Sequence, residues 1–159
     1  MEVERIEMQV NQALPILAKI LRFTFWASTF NHASSWIYTK ANKDRIVTSS
    51  KGFYQRDLNI MNESLWMIGE KLLHTRITPE GNEGGYTYAE GQTYKEQLKS
   101  LSKVVPIPYI IERLEKNERW FGNRAGTAGR CKFKEEEIAQ INLIILEVAN
   151  KLLSVKLIL

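Results

Sequence analysis

The side chains from which catalytic sites are usually built are scarce. The 159-residue chain has two histidines, His32 and His74, one cysteine, Cys131, and two aspartates, Asp44 and Asp57. The histidines fall on different expected elements, and neither has a second histidine or cysteine three or four residues away to make a metal-binding helix face. Two aspartates argue against a carboxylate-rich magnesium site, and each histidine reads as a hydrogen-bonded or surface residue. Cys131 stands between Arg130 and Lys132, and neighbouring cations favour a thiolate nucleophile. No histidine lies near it in sequence to complete a nucleophile–base pair. A single cysteine also excludes an intramolecular disulfide and fits a reducing, cytoplasmic compartment. The expectation is a protein without metal, cofactor or enzymatic activity.

Positive charge is the better clue. The whole chain carries a net charge of +4. Between Arg113 and Lys134, however, seven cations (Arg113, Lys116, Arg119, Arg124, Arg130, Lys132 and Lys134) face only Glu115 and Glu118, a net of +5. Between Lys19 and Arg56, seven more, Lys43, Arg45 and Lys51 among them, face Asp44 alone, a net of +6. Both values exceed the total, so the remainder is acidic and charge is segregated, which is the electrostatic footprint of a phosphate-backbone binder. Gly122 to Arg130 holds three glycines that would let backbone N–H groups approach an anion. The segment lacks the Gly-Lys-Ser/Thr ending of a nucleotide-hydrolysing loop, and no buried strand precedes it. Arginine forks bidentately onto phosphate, which favours Arg119, Arg124 and Arg130. Trp120, beside Arg119, is a candidate for stacking on an unpaired base, with a core plug as the structural reading. The candidate interface is therefore Lys43, Arg45, Lys51, Arg113, Lys116, Arg119, Arg124, Arg130, Lys132 and Lys134.

These residues need a scaffold, and the spacing of apolar side chains predicts a helical one. Hydrophobic residues make up 44% and charged residues 25% of the chain, ordinary values for a globular domain, and sixteen of the eighteen acids are Glu, which favours helix faces. Val3, Ile6, Val10, Leu14, Leu17, Leu21 and Phe25 recur every three or four residues and predict a long first helix interrupted at Pro15. A shorter helix follows around Trp36 and Tyr38, then a polar loop from Ala41 to Gly52. Tyr54 to Thr75 carries a seam of alternating three- and four-residue spacings. Residues 78–91 are Gly-rich and acidic and read as a mobile insertion or a small hairpin. Helices are expected from about Thr93 to Lys103, from Tyr109 until Gly122 stops it, and from Lys134 to about Lys156. The apolar tail from Leu152 to Leu159 must dock on its own bundle or on a neighbour, and contiguous apolar surface favours the neighbour. The fold class expected is all-α, one domain over residues 1–159, a bundle of five or six helices with two basic loops. Glu2, Glu4 and Glu7 are the opposite of a signal peptide's basic start. The most apolar stretch, Leu14 to Phe30, is broken by Lys19 and Arg22 and is not expected to cross a membrane.

In size, helicity and charge the chain resembles the small subunits of CRISPR effector complexes, with Arg119, Arg124, Arg130 and Lys132 as the matching cations; no short motif carries the resemblance. Those subunits are basic helical bundles that line a ribonucleoprotein and hold a target or displaced strand by its backbone. The resemblance implies a non-enzymatic subunit that binds RNA or single-stranded DNA without sequence preference, among other protein subunits or copies of itself. The alternative is a helical, oligomerising interaction protein whose basic segments meet acidic protein. An enzyme built around Cys131 or His74 is the third reading.

Overall fold

The computed structural model describes residues 5–43, 52–80, 84–87, 93–125 and 131–159. In chain order these form β1 (Ile6–Gln9), α1 (Val10–Ile20), α2 (Phe23–Ser28), α3 (Ser34–Lys43), α4 (Gln55–Leu73), α5 (Tyr94–Leu101), α6 (Ile107–Arg113), α7 (Glu118–Ala125), α8 (Glu135–Ser154) and β2 (Val155–Ile158). The protein is mostly helical, as expected, with eight helices among the described residues and one two-stranded parallel sheet.

The centre is the pair of long helices. α4 buries Leu58, Met61, Leu65, Ile68 and Leu72, and α8 buries Ile138, Ile141, Ile145, Val148 and Leu152, one apolar stripe on each, as the three- and four-residue spacing requires. Each helix is closed at its start by an acid in the first turn: Asp57 accepts the Tyr54 N–H at 2.9 Å, and Glu137 accepts the Lys134 N–H at 2.8 Å. Gly69 sets how closely the two helices approach. A Cβ there would lie 2.8 Å from Leu153 Cγ and 3.2 Å from the Ala149 carbonyl oxygen, so any side chain must push α8 away. Gly69→Val is expected to cost about 1–3 kcal/mol through this overpacking, lowering the melting temperature by roughly 2–12 °C. A circular-dichroism melt that leaves the midpoint unchanged would show that the interface yields at no cost.

The ends of the chain depart from the helical expectation. Residues 6–9 are a strand, not the start of a long helix, and they pair in parallel with residues 155–158 in the register Ile6↔Val155 to Gln9↔Ile158. The tail therefore docks on its own chain. Leu157 is 1% exposed, and the Asn62 side chain takes both of its backbone groups, accepting from its N–H at 2.7 Å and donating to its carbonyl at 3.0 Å. Two other amides act in the same way. Asn142 holds both groups of Ile77 (2.8 and 3.0 Å), and Gln97 both groups of Thr78 (3.0 and 2.6 Å). Extended backbone is thus satisfied by side chains on edges where no neighbouring strand is available.

Other boundaries also shift. The long first helix becomes α1 and α2, with Pro15 inside α1. The expected Tyr109–Gly122 helix is two helices separated by residues 114–117, where Glu115 adopts φ +58°. Asn117 begins α7 by accepting the Trp120 N–H at 2.9 Å, and Gly122 does not stop the helix, which continues to Ala125. Of the segment read as an insertion, residues 84–87 pack on the bundle: Thr87 is buried and donates to the Arg76 carbonyl at 2.7 Å, and Tyr86 meets Phe25 edge-on. Residues 81–83 and 88–92 lie outside the described residues.

Candidate nucleic-acid interface

α5 is amphipathic in the simplest sense. Gln97, Leu98 and Leu101 point into the core, while Lys95, Lys99 and, two residues past the helix end, Lys103 are exposed. Four-residue spacing places successive ammonium groups on one face about 6 Å apart along the axis, from 1.5 Å of rise per residue. Thr93 fixes where the helix begins, accepting from the Glu96 N–H at 3.2 Å while Glu96 accepts from the Thr93 N–H at 3.4 Å.

A depression lies at each end of this row. Beyond the start of α5 is a cavity of about 310 Å³ walled by Tyr94, Lys95, Arg124, Cys131, Lys132 and Phe133, with Thr93 at its edge. Beyond its end is a more open one of about 550 Å³ where Lys103 meets Arg22, lined also by Thr24, Phe25, Ser28 and Ser102. Arg22 is held against this end of α5: its Nε donates to the Ser102 carbonyl and its backbone N–H to that of Val104 at 2.8 Å. Cations thus continue from Lys132 and Arg124 through Lys95, Lys99 and Lys103 to Arg22.

The wall supplied by α7 is firmly built. Arg124 Nε donates to Glu137 at 3.1 Å, and the guanidinium lies 4.5 Å from the centre of the Trp120 ring. The pair is nearly closed to solvent, with side chains 14% and 12% exposed. Burial pushes the Glu137 carboxyl up, but the Lys134 backbone N–H and the Arg124 guanidinium outweigh it and hold its pKa below the ordinary value. Glu137 therefore stays charged at neutral pH and keeps Arg124 in place. Phe133 packs against Trp120 and Phe121, with ring centres 5.9 and 6.2 Å away, and the Cys131 N–H bonds to the Asn123 carbonyl at 3.1 Å.

The candidate residues read from sequence divide accordingly. Arg124 and Lys132 meet at the cavity, although Arg124 belongs to a helix and not to a flexible loop. Arg119 and Lys134 are exposed on α7 and at the start of α8. Trp120 is half-buried, with Arg124 over its ring and Lys116 5.8 Å from its centre, so it supports the cavity wall. Arg113 lies apart: its Nε and Nη2 both donate to Glu147 of α8, at 3.2 and 3.0 Å, and Lys151 pairs with the same carboxylate at 3.3 Å. Lys40, counted in the first basic segment, is neutralised by Asp57 at 2.8 Å. Arg45, Lys51, Arg130 and the side chain of Lys43 lie outside the described residues. Lys95, Lys99, Lys103 and Arg22 were missing from the site read in sequence.

The sparse catalytic inventory has other places. His32 stacks on Trp36, with ring centres 4.4 Å apart, and His74 ends α4. Among the described residues no cluster of three His, Cys, Asp or Glu side chains could hold a metal ion, and no helix is long and apolar enough to cross a membrane. No protein-family model, curated protein or solved structure matches the chain.

Proposed function

We propose that the protein binds the phosphate backbone of RNA or single-stranded DNA without reading its sequence, as a non-enzymatic, cytoplasmic subunit of a larger nucleoprotein complex. The observation that carries this reading is the row Lys95, Lys99 and Lys103, joined at its ends to Lys132 and Arg22. A line of cations at helical spacing meets a line of phosphates regardless of the bases between them. The resemblance to CRISPR effector small subunits names the kind of assembly in which such a face would be used.

A second reading, an oligomerising interaction protein, is favoured by a groove of about 680 Å³ between α2 and α4. Ile60 and Met67 on its edge are 49% and 62% exposed. Salt separates the two readings. If Arg22, Lys95, Lys99, Lys103 and Lys132 each meet a phosphate, log affinity for a single-stranded oligonucleotide falls linearly with log salt, with a slope of about −3.5. Fluorescence anisotropy between dilute and physiological salt measures it. Affinity indifferent to salt would reject backbone binding and leave the interaction protein.

A further inference from the structure

The cavity at the start of α5 has two aromatic rings in its wall, Tyr94 and Phe133, whereas the more open depression at the other end of the row has Phe25 alone. Tyr94 and Phe133 are both half-buried and line it together with Lys95, Arg124 and Lys132. A phosphate alone would use the cations and leave the rings idle, whereas a nucleotide uses both: its base lies against a ring face and its phosphate meets the ammonium and guanidinium groups. A volume of about 310 Å³ sits at the small end of the range for small-molecule sites. The walls are also set in advance. Arg124 is fixed between Glu137 and Trp120, Phe133 is backed by Trp120 and Phe121, and Cys131 is tied to Asn123 through the backbone.

We infer that this cavity receives one unstacked nucleotide of a single strand whose neighbouring phosphates continue along Lys95, Lys99 and Lys103. The inference rests on the backbone-binding reading and narrows it, because the bases of a duplex stay paired and stacked and cannot enter. The strand is captured by one base at the start of α5 and by charge alone beyond it.

Cys131 provides the test. It is exposed on the cavity wall and is the single cysteine of the chain, so its alkylation by iodoacetamide, a neutral reagent, reports occupancy of this cavity. Adenosine 5′-monophosphate and a single-stranded oligonucleotide should slow alkylation severalfold in a saturable way, while inorganic phosphate and a duplex of the same sequence should not. Phe133→Leu keeps an apolar side chain but removes the ring, and should raise the concentration of adenosine monophosphate needed for protection about tenfold. The same loss from Tyr94→Leu would carry the conclusion if the Phe133 variant melts early. Equal protection by inorganic phosphate, or by the duplex, would overturn the inference. An alkylation rate unchanged by an oligonucleotide that binds in a salt-dependent way would overturn it too, yet leave backbone binding intact. If backbone binding itself is wrong, the oligonucleotide gives no anisotropy change at all, a distinct result.

Discussion

A chain ending at Ser154 is expected to melt far below the full-length protein. The deleted residues include Leu157, 1% exposed beneath the bundle surface, and burying a leucine stabilises by about 1.5–3 kcal/mol. Half-buried Val155 and the hydrogen bonds of the parallel ladder to residues 6–9 are lost with it, each bond contributing roughly 0.5–1.5 kcal/mol net. The total is on the order of 4–6 kcal/mol, which in a protein of this size lowers the melting temperature by roughly 8–24 °C. Asn62 is left without its strand, and Met8, which packs beside Leu157 in register, is uncovered. Thermal melts and size-exclusion mass of the two chains decide the matter. A truncated chain that keeps its midpoint but loses self-association would show that the tail serves a partner and that its pairing with β1 is not the stabilising contact.

The ends were hard to read in sequence for a definite reason. Ile6, Val10 and Leu14 sit at helical spacing, and Leu152 and Leu153 continue the stripe of α8, so local pattern alone extends both helices. What turns residues 6–9 and 155–158 into strands is their pairing with each other across almost the whole chain, and no local window contains that. The tail does carry a weak sign of it, since Val155 and Leu157 flank the polar Lys156. The amide clamps are similarly silent: nothing in sequence marks Asn62, Gln97 or Asn142 as partners of distant extended backbone. α4, α5 and α8 were legible because each buries a continuous stripe at three- and four-residue spacing, and α5 also carries a full Thr93–Glu96 capping box.

The candidate interface was half legible. Summing charge over segments named Arg124 and Lys132, which the structure places at one cavity, but it counted Arg113, Lys40 and Arg124 as unopposed, and acids on other elements pair with all three. The same sums passed over Lys95, Lys99 and Lys103, because Glu80, Glu83, Glu90 and Glu96 outnumber them between residues 80 and 103. Helical spacing separates what a linear sum merges: positions 95, 99 and 103 fall on the face opposite Leu98 and Leu101, and that pattern was available before any fold was known.

The second large effect concerns that row. Lys95→Ala, Lys99→Ala and Lys103→Ala together remove three exposed side chains, so helicity and melting temperature should hardly change, as alanine is at least as good a helix former as lysine. Binding should change greatly. Each phosphate contact on a single strand contributes about 0.7 to the salt slope, so the triple variant should be shallower by roughly 2 and bind one to two orders of magnitude more weakly in dilute salt. Arg113→Ala is the matching control, because Glu147 already engages that guanidinium on another face.

The deciding measurement is the salt dependence of single-stranded oligonucleotide binding, by anisotropy, for the wild type, the triple lysine variant and Arg113→Ala. The α5 row predicts a steep slope for the wild type and Arg113→Ala and a slope shallower by about 2 for the triple variant, uniformly across oligonucleotide sequences. A triple variant that keeps the wild-type slope, with its helicity intact, would contradict the assignment of the interface to Lys95, Lys99 and Lys103.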